Sequence, residues 1–308
     1  MMNYDVAVVG EIYIDHIFTG FAAWPQPGEE VFTRQYKREI GGGATNTACA
    51  LARLGRTVSL VGVIGTADAG WFESRLREFG VSSDDLEETE GNTGVTVSVS
   101  MLEDRSFFSY VGENDRLVPR LWSEAVLASL RRARHVHFAM PLGRELAMHL
   151  LPELRAAGCT TSLDVGFRPD WLRSAANLDT CRSIDYLLPN EREASLLCNS
   201  DSSNYLSFAQ HSGFPQAVVK LGSRGAAMFV NGRSYTVSSP PVPVVDTTGA
   251  GDAFDAGFID ALLDSATPDD CLRRACICGA LSTRSAGALT ALPLRAELEN
   301  IYEQTYTL

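Results

Sequence analysis

The chain has 308 residues, 45% of them hydrophobic and 21% charged, which places it among ordinary globular proteins and outside the disordered and fibrous classes. Its formal net charge of −12 repels nucleic acid and anionic membrane surfaces, so neither is an expected partner. Seven scattered cysteines, an odd number, suit unpaired thiols in a reducing cytoplasm; no apolar run is long enough to span a membrane, and Met1–Asp5 lacks the basic flank of a secretory leader.

In chain order, Tyr4–Val9 is a short apolar run stopped by Gly10 and reads as a buried strand. Ile12–Phe18 and Glu30–Glu39 read as two more strands, separated by Trp24-Pro25-Gln26-Pro27-Gly28. Ala44–Leu54 is a helix stopped by Gly55, Thr57–Ile64 a strand ending at Gly65, and Trp71–Phe79 a helix ending at Gly80. Thr93–Leu102 alternates: Val95, Val97, Val99 and Met101 lie on one side, Thr96, Ser98 and Ser100 on the other. Glu103-Asp104-Arg105 is a turn and Ser106–Val111 returns, which marks half-exposed antiparallel sheet. Val136–Met140, Thr160–Val165, Tyr186–Leu188 and Ala217–Leu221 are apolar strands, with helices such as Glu145–Ala157 and Glu191–Leu197 between them. Asn231-Gly232, between Ala226–Val230 and Ser234–Val237, signals a tight hairpin.

This alternation predicts an α/β fold, a three-layer αβα sandwich around a mainly parallel, Rossmann-like sheet. The segments that break the rhythm, about 12–39 and 93–112, are expected to form a small β-sheet lid on a single domain spanning 1–308. The apolar lid face would be covered by pairing lid to lid, which predicts a homodimer.

Residues 246–252 read Asp-Thr-Thr-Gly-Ala-Gly-Asp and run straight into a helix. Gly249, Ala250 and Gly251 let backbone N–H groups converge, and the positive end of the helix dipole faces the same point, so the backbone alone makes an anion site. Asp252, in the first turn, is misplaced for pure phosphate binding and makes sense as a general base taking a proton from an attacking hydroxyl. Gly41-Gly42-Gly43-Ala44-Thr45-Asn46 opens another helix; its glycines admit a ligand and Asn46 offers both donor and acceptor. Asp15, Asp164…Arg168, Asn190…Glu193 and Lys220-Leu221-Gly222-Ser223-Arg224-Gly225 all follow strands, where open α/β sheets bind ligands. Each has a plain alternative: a surface Asp, a first-turn Glu on the helix dipole, a tight turn. Their shared placement at strand ends is the argument for function.

These elements together resemble the ribokinase-like, PfkB-type carbohydrate kinases, from Val8 to Pro293. The Gly-Gly-x-x-x-Asn element matches as Gly41-Gly42 to Asn46, the Asp-Thr-x-Gly-Ala-Gly-Asp element at 246–252, and Asn-x-x-Glu as Asn190 to Glu193. The resemblance implies ATP-dependent phosphorylation of a primary hydroxyl of a small sugar or nucleoside, with Asp252 as base and Gly249, Ala250 and Gly251 as anion hole. It implies that Asp15, Gly42, Gly43 and Asn46 hold the acceptor, with Arg168 and the lid residues Phe108 and Tyr110 beside it. It places Asn190, Lys220, Gly222, Ser223, Gly225, Thr247, Cys278 and Ser282 around ATP, and has Glu193 organise the water of Mg²⁺. Asp246 and Thr248 would help hold a monovalent cation such as K⁺, although the position where the family usually carries a small hydroxyl residue falls near Ala291.

Other departures bear on the acceptor. Members acting on ribose often carry Asn where this chain has Tyr13. The Asp164…Arg168 element is similar to that of kinases for keto-sugars and sugar acids, but the second Arg that sugar-acid binders add on the lid is replaced by Phe107-Phe108-Ser109-Tyr110, which argues for a neutral sugar. An aromatic lid could equally stack on a nucleobase. A dinucleotide-dependent dehydrogenase would run its first strand into Gly-x-Gly-x-x-Gly, whereas this one runs into Gly10-Glu11-Ile12-Tyr13, and the P-loop pattern is absent. The third reading, a sugar-binding homologue without catalysis, is opposed by Asp252 and the intact loop before it.

Overall fold

The computed structural model describes residues 3–21, 23–100 and 105–306. The strands, in chain order, are β1 (Tyr4–Gly10), β2 (Tyr13–Thr19), β3 (Gln35–Gly41), β4 (Val58–Gly65), β5 (Val81–Ser82), β6 (Leu86–Thr89) and β7 (Gly94–Ser100). They continue with β8 (Arg105–Tyr110), β9 (Ala133–Ala139), β10 (Thr160–Leu163), β11 (Tyr186–Leu187), β12 (Gln216–Lys220), β13 (Ala226–Val230) and β14 (Arg233–Val237). Ten of them make one sheet in the order β14-β13-β12-β11-β10-β9-β1-β4-β5, with β6 also on β4. The pairings from β4 through β12 are parallel, and the β13–β14 hairpin closes the far edge antiparallel.

β1 shows why the sheet is covered on both faces. Val6 and Val8 pack into one apolar layer with Ala48, Leu51 and Ile259, while Ala7 and Val9 pack into the other with Leu127, Phe138 and Leu150. Successive side chains point to opposite faces, so a continuous apolar run needs helices on both sides. The αβα sandwich and its parallel sheet are as expected. The Asn231-Gly232 hairpin also forms, both residues at positive φ (51° and 77°), as a tight two-residue turn demands.

The remaining four strands form a separate sheet in the order β3-β2-β7-β8. It is mixed, where the sequence suggested antiparallel: β2 and β7 pair in parallel. The cause is topological, since β2 leaves the main sheet after β1 and β7 after β6, and both parent strands run the same way alongside β4. Asn114 fixes the exit of β2, its side chain accepting from the Ile12 N–H and donating to the Ile12 carbonyl, each at 2.8 Å. β3 starts at Gln35 rather than Glu30; the prolines and the polar stretch before it form no ladder, and Phe32 there is 80% exposed. The helix expected over Trp71–Phe79 starts earlier, at Thr66, with Asp68 in its first turn, where the dipole favours an acid. The turn expected at Glu103-Asp104 and the alternating Met101 lie outside the described residues.

Candidate active site

Asp252 sits in the first turn of the helix Ala250–Leu263, whose N-cap is Gly249 at φ 75°. A side chain at Gly249 would be strained at that φ and would meet Ala288 Cβ at 2.5 Å. The Ala250 N–H turns back to the Thr247 carbonyl, and by helix geometry the N–H groups of Gly251 and Asp252 lie outside the intrahelical ladder. The segment therefore presents donors at the positive end of a 14-residue helix.

The second helix pointing here, Gly43–Arg53, follows Gly42 at φ 92°. Asn46 Nδ2 donates to Asp252 Oδ2 at 2.8 Å, and a Cβ on Gly43 would lie 3.4 Å from the other oxygen, Oδ1. Asp15, on β2, lies against Gly41: a Cβ there would fall 2.1 Å from Asp15 Oδ2, so only glycine fits. Burial and the neighbouring charges of Asp252 and Glu39 push Asp15 up to about 7. Burial likewise lifts Asp252 to about 6, opposed by the Asn46 hydrogen bond.

A cavity of about 230 Å³ opens beside Asp252 and Gly43, lined also by Tyr13, Glu11, Asp164 and Arg168; Asp15 and Asn46 do not line it. Glu11 Oε2 accepts from the Tyr13 hydroxyl at 2.8 Å and from Arg168 at 2.6 Å. Glu11 was not among the residues marked in the sequence. Its signal was position alone, one residue past the end of β1.

Beneath the anion loop sits a second charged group. Lys220 Nζ donates to Asp164 at 2.6 Å and to Asp255 at 3.0 and 3.2 Å, and a Cβ on Gly251 would lie 3.5 Å from it. Burial alone would lower the Lys220 pKa, but the two carboxyls keep it charged. Burial would raise Asp164, yet the Lys220 charge holds it low; Asp255, fully buried, is raised well above the usual range. Lys220 was expected to face the nucleotide. It is 8% exposed and committed to these partners, because an amine this deep needs counter-charges. Asp255, one turn past Asp252 on the same helix, is a further residue the structure brings to this cluster.

Asn190 and Glu193 form a reciprocal capping box: Asn190 Oδ1 accepts from the Glu193 N–H, while Glu193 accepts from the Asn190 N–H and side chain at 2.8 and 2.7 Å. Glu193 is 3% exposed, and burial with the Asp164 charge pushes it up to about 7. Asp246 Oδ1 accepts from the Thr248 N–H and hydroxyl, and Oδ2 from the Gly287 N–H, so the loop before the helix is tied to the 283–290 segment. A Cβ on Gly222 would meet nothing within 4 Å, whereas one on Gly225 would overlap the Val237 carbonyl at 1.9 Å. Ser223 lies in the short turn between them.

Four expected contacts lie elsewhere. Cys278 and Ser282 are 1% and 0% exposed; Cys278 packs under Gly257 with Leu54 and Leu298, and Ser282 donates to the Gly279 carbonyl. They occupy the inward face of their helix, so they line the core instead of a nucleotide. Phe108 and Tyr110 are on the face of β8 away from Asp15. The register pairs Asp15 with Thr96 and Thr96 with Ser109, which puts Ser109 and Phe107 on the Asp15 face. Phe108 instead stacks on Trp24, ring centroids 6.0 Å apart.

The family model for pfkB family carbohydrate kinases matches residues 3–295. The chain belongs to the PfkB family of carbohydrate kinases. It is 29% identical to ribokinase of Arabidopsis thaliana over 303 residues, covering 94% of this chain and 79% of that protein. It is 31% identical to an ATP-dependent ribose-1-phosphate kinase of Halopiger xanaduensis over 271 residues, 87% of this chain and 88% of that one. Among solved structures, Arabidopsis thaliana ribokinase complexed with ribose and ATP superposes with a TM-score of 0.85 at 27% identity, covering 97% of this chain and 99% of that one.

This PfkB-family enzyme is thus a phosphotransferase with an alcohol group of a sugar as acceptor, on the ribokinase fold. Among the described residues no helix is long and apolar enough to cross a membrane.

Proposed function

We propose that this kinase transfers the γ-phosphoryl group of ATP to a primary hydroxyl of a small neutral sugar, with Asp252 as general base. The observation that carries this reading is the position of Asp252: it is at the N-terminus of the anion-binding helix, opens onto the cavity and is held by Asn46. A carboxylate raised to about 6 is largely ionised near neutral pH yet basic enough to accept a proton. Asp252 takes the hydroxyl proton as that oxygen bonds to phosphorus and the bond to the leaving ADP breaks. The N–H groups of Gly251 and Asp252, left free at the helix start, stabilise the charge on the phosphoryl oxygens.

The loop's outward donors and the open space at Gly222 fit a nucleoside triphosphate. Mg²⁺, when bound, neutralises charge on the phosphates. No group of three or more His, Cys, Asp or Glu among the described residues makes a metal cage, which suits an ion held chiefly by phosphates and water. Glu193, whose oxygens keep free lone pairs after capping, would orient that water. Asp246, Thr248 and the 283–290 segment would hold a monovalent cation, checked by exchanging K⁺ for Na⁺. Asp15 and the Asn46 amide would hold acceptor hydroxyls, and the four-stranded sheet would act as the lid that excludes water.

Two observations favour a neutral monosaccharide. Arg168 is already paired with Glu11, so its charge is spent before an acidic acceptor arrives. A cavity of about 230 Å³ is also small beside the roughly 300–1,000 Å³ common for drug-sized ligands, which disfavours a whole nucleoside. ATP consumption across a panel of ketoses, aldoses, sugar acids and nucleosides tests the acceptor; a nucleoside preference would overturn the sugar reading. Asp252→Asn, with acceptor binding measured in parallel, should lower turnover about 10²–10⁴-fold. A loss below about tenfold would remove Asp252 from the base role.

A further inference from the structure

A second cavity, of about 270 Å³, shares no lining residue with the first. Lys37 and Glu39 of β3, Arg53 at the end of the helix Gly43–Arg53, Arg75 of the helix Thr66–Phe79, and Thr290 line it. Three cations face one carboxylate there, in a chain whose net charge is −12. The protein's overall field repels anions, so a locally positive cavity is a built feature of these side chains.

Glu39 accounts for only part of the cationic charge. Arg75 donates to both its oxygens, at 2.9 and 2.7 Å, and also pairs with Glu78, while Lys37 Nζ stands 3.4 Å from Glu39. Arg53 has no such partner. Among the described residues its buried Nε has no acceptor, and its contact to the Leu292 carbonyl is a long 3.5 Å. A buried guanidinium N–H left without an acceptor is unfavourable unless something brings one. Lys37 Nζ and the Thr290 hydroxyl, 3.1 Å apart, border the same space.

We propose that this cavity binds the phosphate group of a small anion, held by Arg53 and Lys37. A guanidinium fork and an ammonium supply more donors than one carboxylate uses, and they suit a tetrahedral dianion. The site adjoins both supports of the catalytic centre without entering it. Thr290 follows Gly287 and Ala288, which brace Asp246 and Gly249. Glu39 faces Asp15 across the β2–β3 ladder.

Calorimetric titration of the full chain with inorganic phosphate, and separately with glycerol 3-phosphate, at constant ionic strength, reads this site without turnover, so its outcome is independent of the Asp252 test. At least one probe should bind, about tenfold weaker in Lys37→Met, the loss of one charge-assisted contact. The tighter probe tells whether the phosphate is free or carried on a metabolite. Arg53→Met should weaken binding too, and Lys37→Met, at a half-exposed side chain, stands as the test if the Arg53 variant fails to fold. No binding of either probe, or unchanged binding in Lys37→Met, overturns the proposal.

Discussion

Asn46 donates its side-chain N–H to the Asp252 carboxylate at 2.8 Å, joining the starts of two helices that lie 206 residues apart in the chain. The bond fixes one oxygen of the proposed base and leaves the other, beside Gly43, facing the cavity. It also stabilises the charged form, against the burial that lifts Asp252 to about 6.

Asn46→Ala should therefore raise the Asp252 pKa. A hydrogen bond worth about 1 kcal/mol corresponds to about 0.7 of a pH unit. The acidic limb of kcat against pH should move up by about that amount, because the base must be ionised to act. A profile shifted downwards, or unmoved, would show that Asn46 does not tune this carboxylate.

Asp15 carries a stability cost that its removal should expose. Its folded-state pKa of about 7 lies above the ordinary value of 3.8 for an aspartate, so its contribution to stability is intact below the lower value and is lost as pH rises through the upper one. Asp15→Asn should raise the Tm relative to the parent near pH 8 and leave the difference small near about pH 4, while weakening acceptor binding. A Tm difference that stays constant across that range would contradict the assignment.

Lys220→Met leaves Asp164 and Asp255 buried without their counter-charge. Breaking such a pair from one side costs about 3–5 kcal/mol, read from the urea midpoint. The loss should shrink at low pH, where the carboxyls become neutral, and a second change, Asp164→Asn, should recover part of it. Full stability in Lys220→Met would show that the trio is not coupled.

The outward face of the small sheet carries Tyr36, Phe108 and Tyr110, each more than half exposed. Pairing two lids would cover this apolar patch, which is the basis of the dimer proposal. Light scattering should give twice the 33.4 kDa chain mass at micromolar concentration and a monomer for Phe108→Glu. A parent protein that is monomeric there would end the dimer proposal.

The helix start at Gly249 was legible because it is local: Gly249, Ala250, Gly251 and Asp252 are consecutive, and a helix start needs no distant partner to present its N–H groups. Asn190 and Glu193 were legible as a pair for the same reason, three residues apart at another helix start. Cys278 misled because a small residue on a helix reads the same whether its face meets a ligand or the core. Phe108 misled because adjacent strand residues point oppositely, so the choice between Phe107 and Phe108 depends on a register that only β2 and β7 set.

By itself, then, the sequence determined the layered α/β architecture, the glycine-rich helix start at 249–251 and the place of Asp252 in its first turn, all of which follow from apolar periodicity and short-range spacing. Only the tertiary structure decided that Asn46 holds Asp252, that Lys220 is buried between Asp164 and Asp255, and that Glu11 joins Tyr13 to Arg168. Those contacts span gaps of up to 206 residues, and long-range pairs carry no spacing rule. They exist because a parallel sheet gathers the ends of separate strands along one edge, where charges leaving water must find one another.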